Sequence, residues 1–215
     1  MQLWSGILSP FSAKVRIALA EKQLAYETLQ MPWSRKTLWG PKPPGFLAVS
    51  PRGQVPVLID GDTVVYDSTV ICEYLEDRYP TPPLFPAGAA ERARCRQLED
   101  EADLAMSQDV TALVQELFTK AGSGAAPDMA RVGAATEALR RRYDALDQAL
   151  RGRDYLCDRF SIADVATYLV IGYATTLGVP PGERHERLAA WGERLRGRPT
   201  IGRELDAITQ AAAAV

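Results

Sequence analysis

The chain has 215 residues, of which 47% are hydrophobic and 24% are charged, and its formal net charge is −2. This composition is typical of a folded globular protein, and the length suits one large or two small domains. The small net charge argues against a general electrostatic attraction to nucleic acid or to an anionic membrane, and we expect neither as a partner.

The cysteines are few and isolated. Cys72, Cys95 and Cys157 lie far apart in the chain, and no pair has metal-binding or Cys-x-x-Cys spacing. This usage is typical of a reducing compartment. The N-terminus lacks the pattern of a signal peptide, and the apolar stretch at 165–179 is too short to cross a bilayer. We therefore expect a cytoplasmic protein without a metal.

The first predicted elements form a β-α-β unit. Gln2–Ser5 is predicted as a strand, and Ser9 followed by Pro10 predicts the start of a helix with serine as its N-cap. The next predicted strand is Tyr26–Met31. Because the crossover is short, we expect the two strands to be parallel. Residues 32–54 are rich in proline and are predicted to be irregular, with one short helix before Ser50.

The most informative stretch is 50–71, which predicts a loop, two strands and the start of a helix. Asp60-Gly61-Asp62 separates two β-branched runs and indicates a hairpin. Ser68 is placed to cap the following helix. Pro56 cannot donate to a strand ladder, and a cis bond before it would turn the main chain of Val55 toward a ligand. Such a turn could bind an acidic peptide by strand addition, whereas the alternative is a hairpin that binds nothing.

The rest of the chain is predicted to be helical. Prolines cluster at 81–86 and indicate a linker. Two amphipathic runs, near 95–117 and 132–150, predict an antiparallel helix pair joined by a loop at 122–127. Ser161 and Asp164 have capping-box spacing before a helix that is apolar nearly all round, so this helix should lie at the centre of its domain.

Four motifs together resemble the cytosolic glutathione transferase superfamily, in its serine-type, bacterial-like form. They are Gly-Gln-Val-Pro-Val-Leu at 53–58, Asp-Ser-x-x-Ile at 67–71, Leu-Ser-Pro-Phe-Ser-x-Lys-Val-Arg at 8–16 and Phe-Ser-Ile-Ala-Asp at 160–164. The resemblance implies a thioredoxin-like α/β domain over 1–80, a linker at 81–86 and an all-α helical domain over 87–215.

The resemblance also implies a glutathione site. Val55 and a cis Pro56 would pair with the cysteinyl part of glutathione, Asp67 and Ser68 would take its γ-glutamyl end, and Lys42 would lie near its glycyl carboxylate. Ser9 occupies the reactive position, where a hydroxyl at a helix N-terminus can stabilise a thiolate. The alternatives are that Ser9 is only an N-cap, with Ser12 its nearest competitor, and that Lys42 is a solvated surface residue.

The activity implied is a glutathione transferase that attacks a small, hydrophobic electrophile, as in detoxification. Phe11, Met106 and Val110 are expected to line the second-substrate pocket. A homodimer is also implied, with the first domain of one subunit against the Arg92–Asp109 helix of the other. The alternatives are a non-catalytic binding or regulatory protein, and a glutathione-dependent peroxidase or disulfide exchanger. The single histidine, His185, follows charged residues and gives no support for a Ser-His triad.

Overall fold

The computed structural model describes residues 1–34, 39–120 and 124–213. The chain divides into two compact units. One unit comprises Met1–Leu84 with Arg196–Val215, and the other comprises Phe85–Leu195.

The first unit is built on a four-stranded sheet with the order β2-β1-β3-β4. The strands are β1 Gln2–Ser5, β2 Glu27–Gln30, β3 Val57–Asp60 and β4 Thr63–Tyr66. Strands β1 and β2 are parallel, while β3 is antiparallel to both of its neighbours. The predicted β-α-β unit and the predicted hairpin are both confirmed, and β2 is one residue shorter at each end than the sequence predicted.

Three helices accompany this sheet: α1 Pro10–Glu21, α2 Pro44–Val49 and α3 Ser68–Arg78. Ser9 is the N-cap of α1, as predicted. The prediction that Ser68 caps α3 is wrong, because Asp67 is the N-cap and accepts a hydrogen bond from the Thr69 backbone nitrogen. Ser68 is instead the first residue inside the helix. The cap lies one residue earlier because Asp67 adopts a non-helical backbone with φ 76° and ψ 128°.

The two faces of the sheet bury different residues, because neighbouring side chains of a strand point in opposite directions. Leu3 and Leu58 are paired across β1 and β3 and are fully buried, as are Ile71 and Leu75 of α3. Their neighbours in the ladder, Trp4 and Val57, belong to a separate cluster. That cluster contains Met31, Phe46 and Val57, with Trp4, Trp39, Val49 and Val55 packed against it. It lies where the predicted binding segment of Val55 enters the sheet.

The last helix, α9 Pro199–Ala213, belongs to the first unit. The resemblance implied a helical domain over 87–215 that would include this helix, whereas α9 groups with the first unit. The physical reason is its packing against α1, which includes ion pairs from Glu204 to Arg16 and from Arg198 to Glu21. The predicted linker at 81–86 stays a prediction.

The second unit is helical. Its helices are α4 Ala89–Asp100, α5 Ser107–Val114, α6 Met129–Ala149, α7 Ile162–Thr176 and α8 Glu186–Arg196. Two π-helical segments, Glu101–Met106 and Gln115–Thr119, flank α5. The sequence predicted one uninterrupted helix there, since the 3.6-residue period of apolar residues does not reveal a local change of register. The predicted loop at 122–127 lies partly outside the described residues.

The centre of the second unit is α7, as its apolar sequence predicted, and ten of its residues are buried. Asp164 accepts hydrogen bonds from the Ser161 backbone nitrogen at 2.9 Å and from the Trp191 indole nitrogen of α8 at 2.8 Å. The predicted capping box is therefore present, and its acid also joins two helices. In the part of the chain that the structure describes, no helix combines the length and apolarity needed to cross a membrane.

Candidate functional site

One end of the four-stranded sheet brings the predicted site segments together. Trp4 of β1 pairs with Val57 of β3, which in turn pairs with Tyr66 of β4. The loop after β1, the segment before β3 and the start of α3 after β4 therefore all lie at the same end. Because neighbouring strands are about 5 Å apart, this row spans roughly 10 Å. An extended tripeptide is about as long.

The loop between β1 and α1 holds Ser9 in a defined position. The Ser9 backbone nitrogen donates to the Gly6 carbonyl at 3.1 Å, and its Oγ accepts the Ser12 N–H at 3.2 Å. Only 5% of Ser9 is exposed. A hydroxyl that accepts one hydrogen bond still carries a hydrogen that it can donate. Ser9 is thus an N-cap, and capping leaves it able to donate to a thiolate.

Ser12, the nearest competitor, has a different task. Its Oγ accepts the Gly6 N–H at 3.2 Å, and the residue is fully buried. This bond closes the loop from the inside, as the first turn of α1 meets the end of β1. Ser12 therefore supports the loop, and Ser9 remains the candidate reactive residue.

Arg16 is a site feature that sequence reasoning missed. Its side chain, 8% exposed, donates to Ser5 Oγ, to the Gly6 carbonyl at 3.0 Å and to the Ile7 carbonyl at 3.1 Å. It also forms an ion pair with Glu204 of α9. The only sequence signal was an arginine on the helix that follows the reactive loop, and that gives no hint of partners so far along the chain.

The Val55–Pro56 peptide bond is cis. The preceding turn is fixed by Ser50, whose Oγ accepts from the Gln54 backbone nitrogen at 3.0 Å and donates to the Gln54 carbonyl at 2.9 Å. Among the described residues, none forms a main-chain hydrogen bond with Val55. Its peptide groups can therefore pair with an extended ligand, which is the arrangement the sequence predicted for the cysteinyl part of glutathione.

Asp67 and Ser68 lie at the far end of the row. Asp67 has φ 76°, a conformation that a residue with a side chain rarely adopts, and one that is found at binding sites. Its carboxylate accepts the Thr69 N–H at 3.0 Å and lies 3.5 Å from the exposed Arg52 guanidinium. Ser68 is 5% exposed at the first turn of α3. The α-amino acid end of a peptide ligand carries an ammonium and a carboxylate. The Asp67 carboxylate can pair with such an ammonium, and the N–H groups at the start of α3 can bind such a carboxylate.

The hairpin that delivers Asp67 is tied to α3 by Asp60. Its Oδ2 accepts the Tyr74 hydroxyl at 2.9 Å and the Tyr79 hydroxyl at 2.7 Å. The hydrogen bond from Tyr79, followed by that from Tyr74, holds the pKa of Asp60 below its ordinary value against the opposing effect of burial. The middle and the C-terminal end of α3 are thus both joined to the hairpin, and these bonds help to fix the helix that begins at Asp67.

Lys42 is exposed, yet its ammonium has a defined neighbour. Its Nζ lies 2.8 Å from the position that a Cβ on Gly53 would take, and Gly53 itself has φ +60°. The lysine therefore lies over the turn that leads into Val55. This places a positive charge beside the turn before Val55, and the role of Lys42 at a glycyl carboxylate stays a prediction.

The predicted second-substrate residues are divided between the two units. Phe11 is half-buried in the first turn of α1, whereas Met106 and Val110 are buried, 1% and 9% exposed, in the helical unit. Their pocket stays a prediction. Trp39, which the sequence analysis did not assign to the site, packs its ring over Gly6, where an added Cβ would lie 2.3 Å from the ring.

The single histidine lies in the helical unit and has a partner on each ring nitrogen. His185 is buried, its Nδ1 accepts the Gly182 N–H at 2.9 Å, and its Nε2 lies 2.8 Å from Asp144. Both ring nitrogens are thus occupied by partners within the helical unit. Among residues 1–34, 39–120 and 124–213, no group of three His, Cys, Asp or Glu side chains is arranged to hold a metal ion.

Comparisons with known proteins show the family to which the chain is similar. The family model for the glutathione S-transferase N-terminal domain matches residues 7–83, and that for the C-terminal domain matches residues 103–199. Glutathione S-transferase 3 of Zea mays is 30% identical over 97% of this chain and 94% of its own length. FtsZ-localized protein A of Caulobacter vibrioides is 29% identical over 89% of this chain and 85% of its own length.

The solved structures show similarity to the same family. The crystal structure of a glutathione S-transferase from Rhodospirillum rubrum superposes with a TM-score of 0.80 at 33% identity, over 93% of this chain and 89% of that one. Its likeness extends over both the sheet-containing and the helical parts, since so little of either chain is left out. The chain therefore belongs to the cytosolic glutathione transferase superfamily, and it has the family's fold of a thioredoxin-like domain followed by a helical domain.

Proposed function

We propose that the protein is an active glutathione transferase with Ser9 as the group that activates the thiol. The observation that carries the proposal is the row of three features at one end of the sheet. It begins at the capping hydroxyl of Ser9, passes the main chain of Val55 and ends at Asp67 with Ser68. This row offers a hydroxyl, a peptide-pairing segment and an anion site in the order that an extended tripeptide would need.

Each residue has a separate role in this proposal. Val55, presented by Pro56, pairs with the cysteinyl unit of glutathione, Asp67 and Ser68 bind the γ-glutamyl end, and Lys42 attracts the glycyl carboxylate. The Ser9 hydroxyl donates to the sulfur. The positive end of the α1 dipole adds to this effect, so the thiolate is favoured at neutral pH.

The thiolate then attacks an electrophilic carbon. A carbon–sulfur bond forms, and the carbon either releases a leaving group with its electron pair or, in an addition, takes up a proton at the neighbouring atom. We propose a small, hydrophobic electrophile, as in detoxification, with Phe11, Met106 and Val110 as pocket residues. Glutathione is the co-substrate, a homodimer the working form and the cytoplasm the location. Cys72, Cys95 and Cys157 are buried and none of them forms a disulfide, which is consistent with a reducing compartment.

A second candidate is a binding or regulatory protein that uses the same fold without turnover. The observation that favours it is the similarity to FtsZ-localized protein A, which is named for its localisation with FtsZ and not for a reaction. A glutathione-dependent peroxidase or disulfide exchanger would need the same thiolate. It differs from the transferase in the co-substrate, an oxidant in place of a carbon electrophile.

The test is calorimetric titration with glutathione, together with the ultraviolet absorbance of the bound thiolate as a function of pH, for the wild type and Ser9→Ala. Asp128→Ala is the matched control, because Asp128 caps α6 by accepting from Ala130 and Arg131. Either substitution removes one N-cap, worth about 1 kcal/mol of stability. Only Ser9→Ala should abolish the thiolate near neutral pH.

The possible results separate the candidates. Thiolate formation in the wild type, with turnover of an aryl halide or an activated alkene, supports the transferase. Glutathione binding without thiolate or turnover supports the binding protein. Thiolate formation with reduction of a hydroperoxide alone supports the peroxidase. If Ser9→Ala keeps a wild-type thiolate, Ser9 is only an N-cap.

A further inference from the structure

Arg16 uses its whole guanidinium within the first unit. Its Nη1 donates to Ser5 Oγ and to the Gly6 carbonyl, its Nη2 donates to the Ile7 carbonyl, and its Nε lies 3.0 and 3.2 Å from the two carboxylate oxygens of Glu204. A guanidinium has five N–H donors, and these contacts, with a second bond from Nη2 to Glu204, occupy all five. The side chain therefore has a single orientation.

The Nε and Nη2 atoms of Arg16 are bound by the last helix. Glu204 lies on α9, and only 11% of its side chain is exposed. A largely buried carboxylate and guanidinium fix each other's geometry, because separating them would leave a charge without a partner. Helix α9 thus fixes the position of the Arg16 guanidinium, which in turn contacts the loop after β1.

The loop atoms that Arg16 holds are those that place Ser9. The Gly6 carbonyl accepts both Arg16 Nη1 at 3.0 Å and the Ser9 backbone nitrogen at 3.1 Å. One oxygen therefore joins the arginine to the residue proposed to activate glutathione. A shift of this carbonyl would move the Ser9 N–H and the hydroxyl next to it.

We propose that Arg16 and Glu204 are positioning residues for thiol activation, and that α9 thereby forms part of the reactive site's support. The inference rests on the proposed function, since it requires that Ser9 stabilise the glutathione thiolate. Neither residue touches glutathione in this proposal. They hold the Ser5–Ile7 segment so that the Ser9 hydroxyl points at the sulfur.

The simpler explanation is that the Arg16–Glu204 ion pair only attaches α9 to α1. A second ion pair between the same segments serves as a control for this explanation. Arg198 near the start of α9 forms a two-point ion pair with Glu21 of α1, at 3.1 and 2.7 Å. This pair joins the same two helices but lies at the end of α1 remote from the reactive loop. A docking role predicts equal effects of disturbing either pair, whereas a positioning role predicts an effect of Arg16 alone on the bound thiol.

The experiment compares Arg16→Lys with Arg198→Lys in the full chain. Lysine keeps the positive charge but has a single nitrogen, so it cannot bridge the three loop acceptors and Glu204. The readouts are thermal unfolding, glutathione affinity by calorimetry and the pH midpoint of the bound-thiolate absorbance. For Arg16→Lys we expect the midpoint to rise and the turnover at neutral pH to fall about 10- to 100-fold. The glutathione Kd should stay within about threefold of the wild type.

Arg198→Lys should lower thermal stability while leaving the thiolate midpoint unchanged. The inference is overturned if both variants leave the midpoint at the wild-type value, or if both shift it equally. A wild-type complex without a thiolate would refute the proposed function itself, and the positioning role with it. Failure of the proposed function is seen in the wild type alone, whereas failure of the positioning role is seen only when the variants are compared with the wild type.

A milder variant covers the case in which Arg16→Lys does not fold. Ser5→Ala removes one acceptor of Arg16 and leaves its charge and its contact with Glu204 in place. We expect a smaller rise of the thiolate midpoint in the same direction. A folded Ser5→Ala protein with the wild-type midpoint would overturn the inference.

Discussion

Lys42 lies over Gly53, with its Nζ 2.8 Å from the position that a Cβ on Gly53 would take. Gly53 also has φ +60°, which glycine adopts readily and alanine does not. The turn before Val55 therefore requires glycine for two separate reasons. One is the backbone, and the other is the space that the lysine occupies.

Gly53→Ala should weaken glutathione binding by displacing Lys42, in addition to the backbone strain of about 1 kcal/mol. The matched control is Gly61→Ala in the β3–β4 hairpin, which has the same φ of +60° but open space around its Cβ position. Calorimetry with glutathione and thermal unfolding should show similar losses of stability in both variants. Only Gly53→Ala should lose affinity, by about 10-fold for one charge-assisted contact. Equal affinities would show that Lys42 does not serve the glycyl carboxylate.

Asp67→Asn tests the charge at the other end of the site. Asparagine caps a helix about as well as aspartate and tolerates positive φ, so the fold of the α3 start should be kept. The carboxylate that we assign to the γ-glutamyl amino group is lost, and glutathione affinity should fall about 10-fold or more. Asp128→Asn makes the same substitution at the N-cap of α6 and should leave the affinity unchanged. A wild-type Kd for Asp67→Asn would remove Asp67 from the site.

Asp164→Asn should be strongly destabilising. The Asp164 carboxylate accepts from the backbone nitrogens of Leu156 and Ser161, each at 2.9 Å, and from the Trp191 indole at 2.8 Å. An amide turns one acceptor into a donor, which leaves buried N–H groups unpaired and costs about 3 kcal/mol. Asp158→Asn, an exposed aspartate 3.6 Å from Arg153, should change the unfolding free energy by less than about 0.5 kcal/mol. Chemical denaturation of both variants measures this, and equal midpoints would contradict the role of Asp164.

Local signals in the sequence predicted the elements that depend on neighbouring residues. Ser9-Pro10 marked the start of α1, Asp60-Gly61-Asp62 marked the hairpin and Ser161 with Asp164 marked the capping box, because caps and turns are decided within a few residues. The cap of α3 was misplaced by one residue. Aspartate and serine are about equally good N-caps, and the positive φ of Asp67 could not be read from its residue type.

Features that depend on distant parts of the chain could not be predicted. Arg16 and Glu204 are 188 residues apart, and neither residue alone indicates the other. The placement of α9 with the first unit has the same origin. The motifs did name Ser9, Val55 and Asp67, but only the strand order shows that they lie along one end of the sheet.

The hydrogen bonds from Tyr79 and Tyr74 to Asp60 should make the stability of the fold depend on pH in the acid range. The Tyr79 hydrogen bond is the largest cause that lowers the pKa of Asp60 below its ordinary value of 3.8. A lowered pKa in the folded state favours the ionised form there, so this contribution to stability is present above the ordinary pKa. It is lost as the pH falls through the lowered value.

Tyr79→Phe removes that hydrogen bond and should bring the Asp60 pKa back toward 3.8. The difference in unfolding free energy between wild type and Tyr79→Phe should therefore be larger at about pH 6 than at about pH 2. Tyr66→Phe is the control, because Tyr66 is an exposed tyrosine of the same hairpin whose ring lies 5.7 Å from Arg52. Urea unfolding across this range measures both variants. If the curve of Tyr79→Phe runs parallel to that of the wild type, the Tyr79 hydroxyl does not stabilise the Asp60 carboxylate.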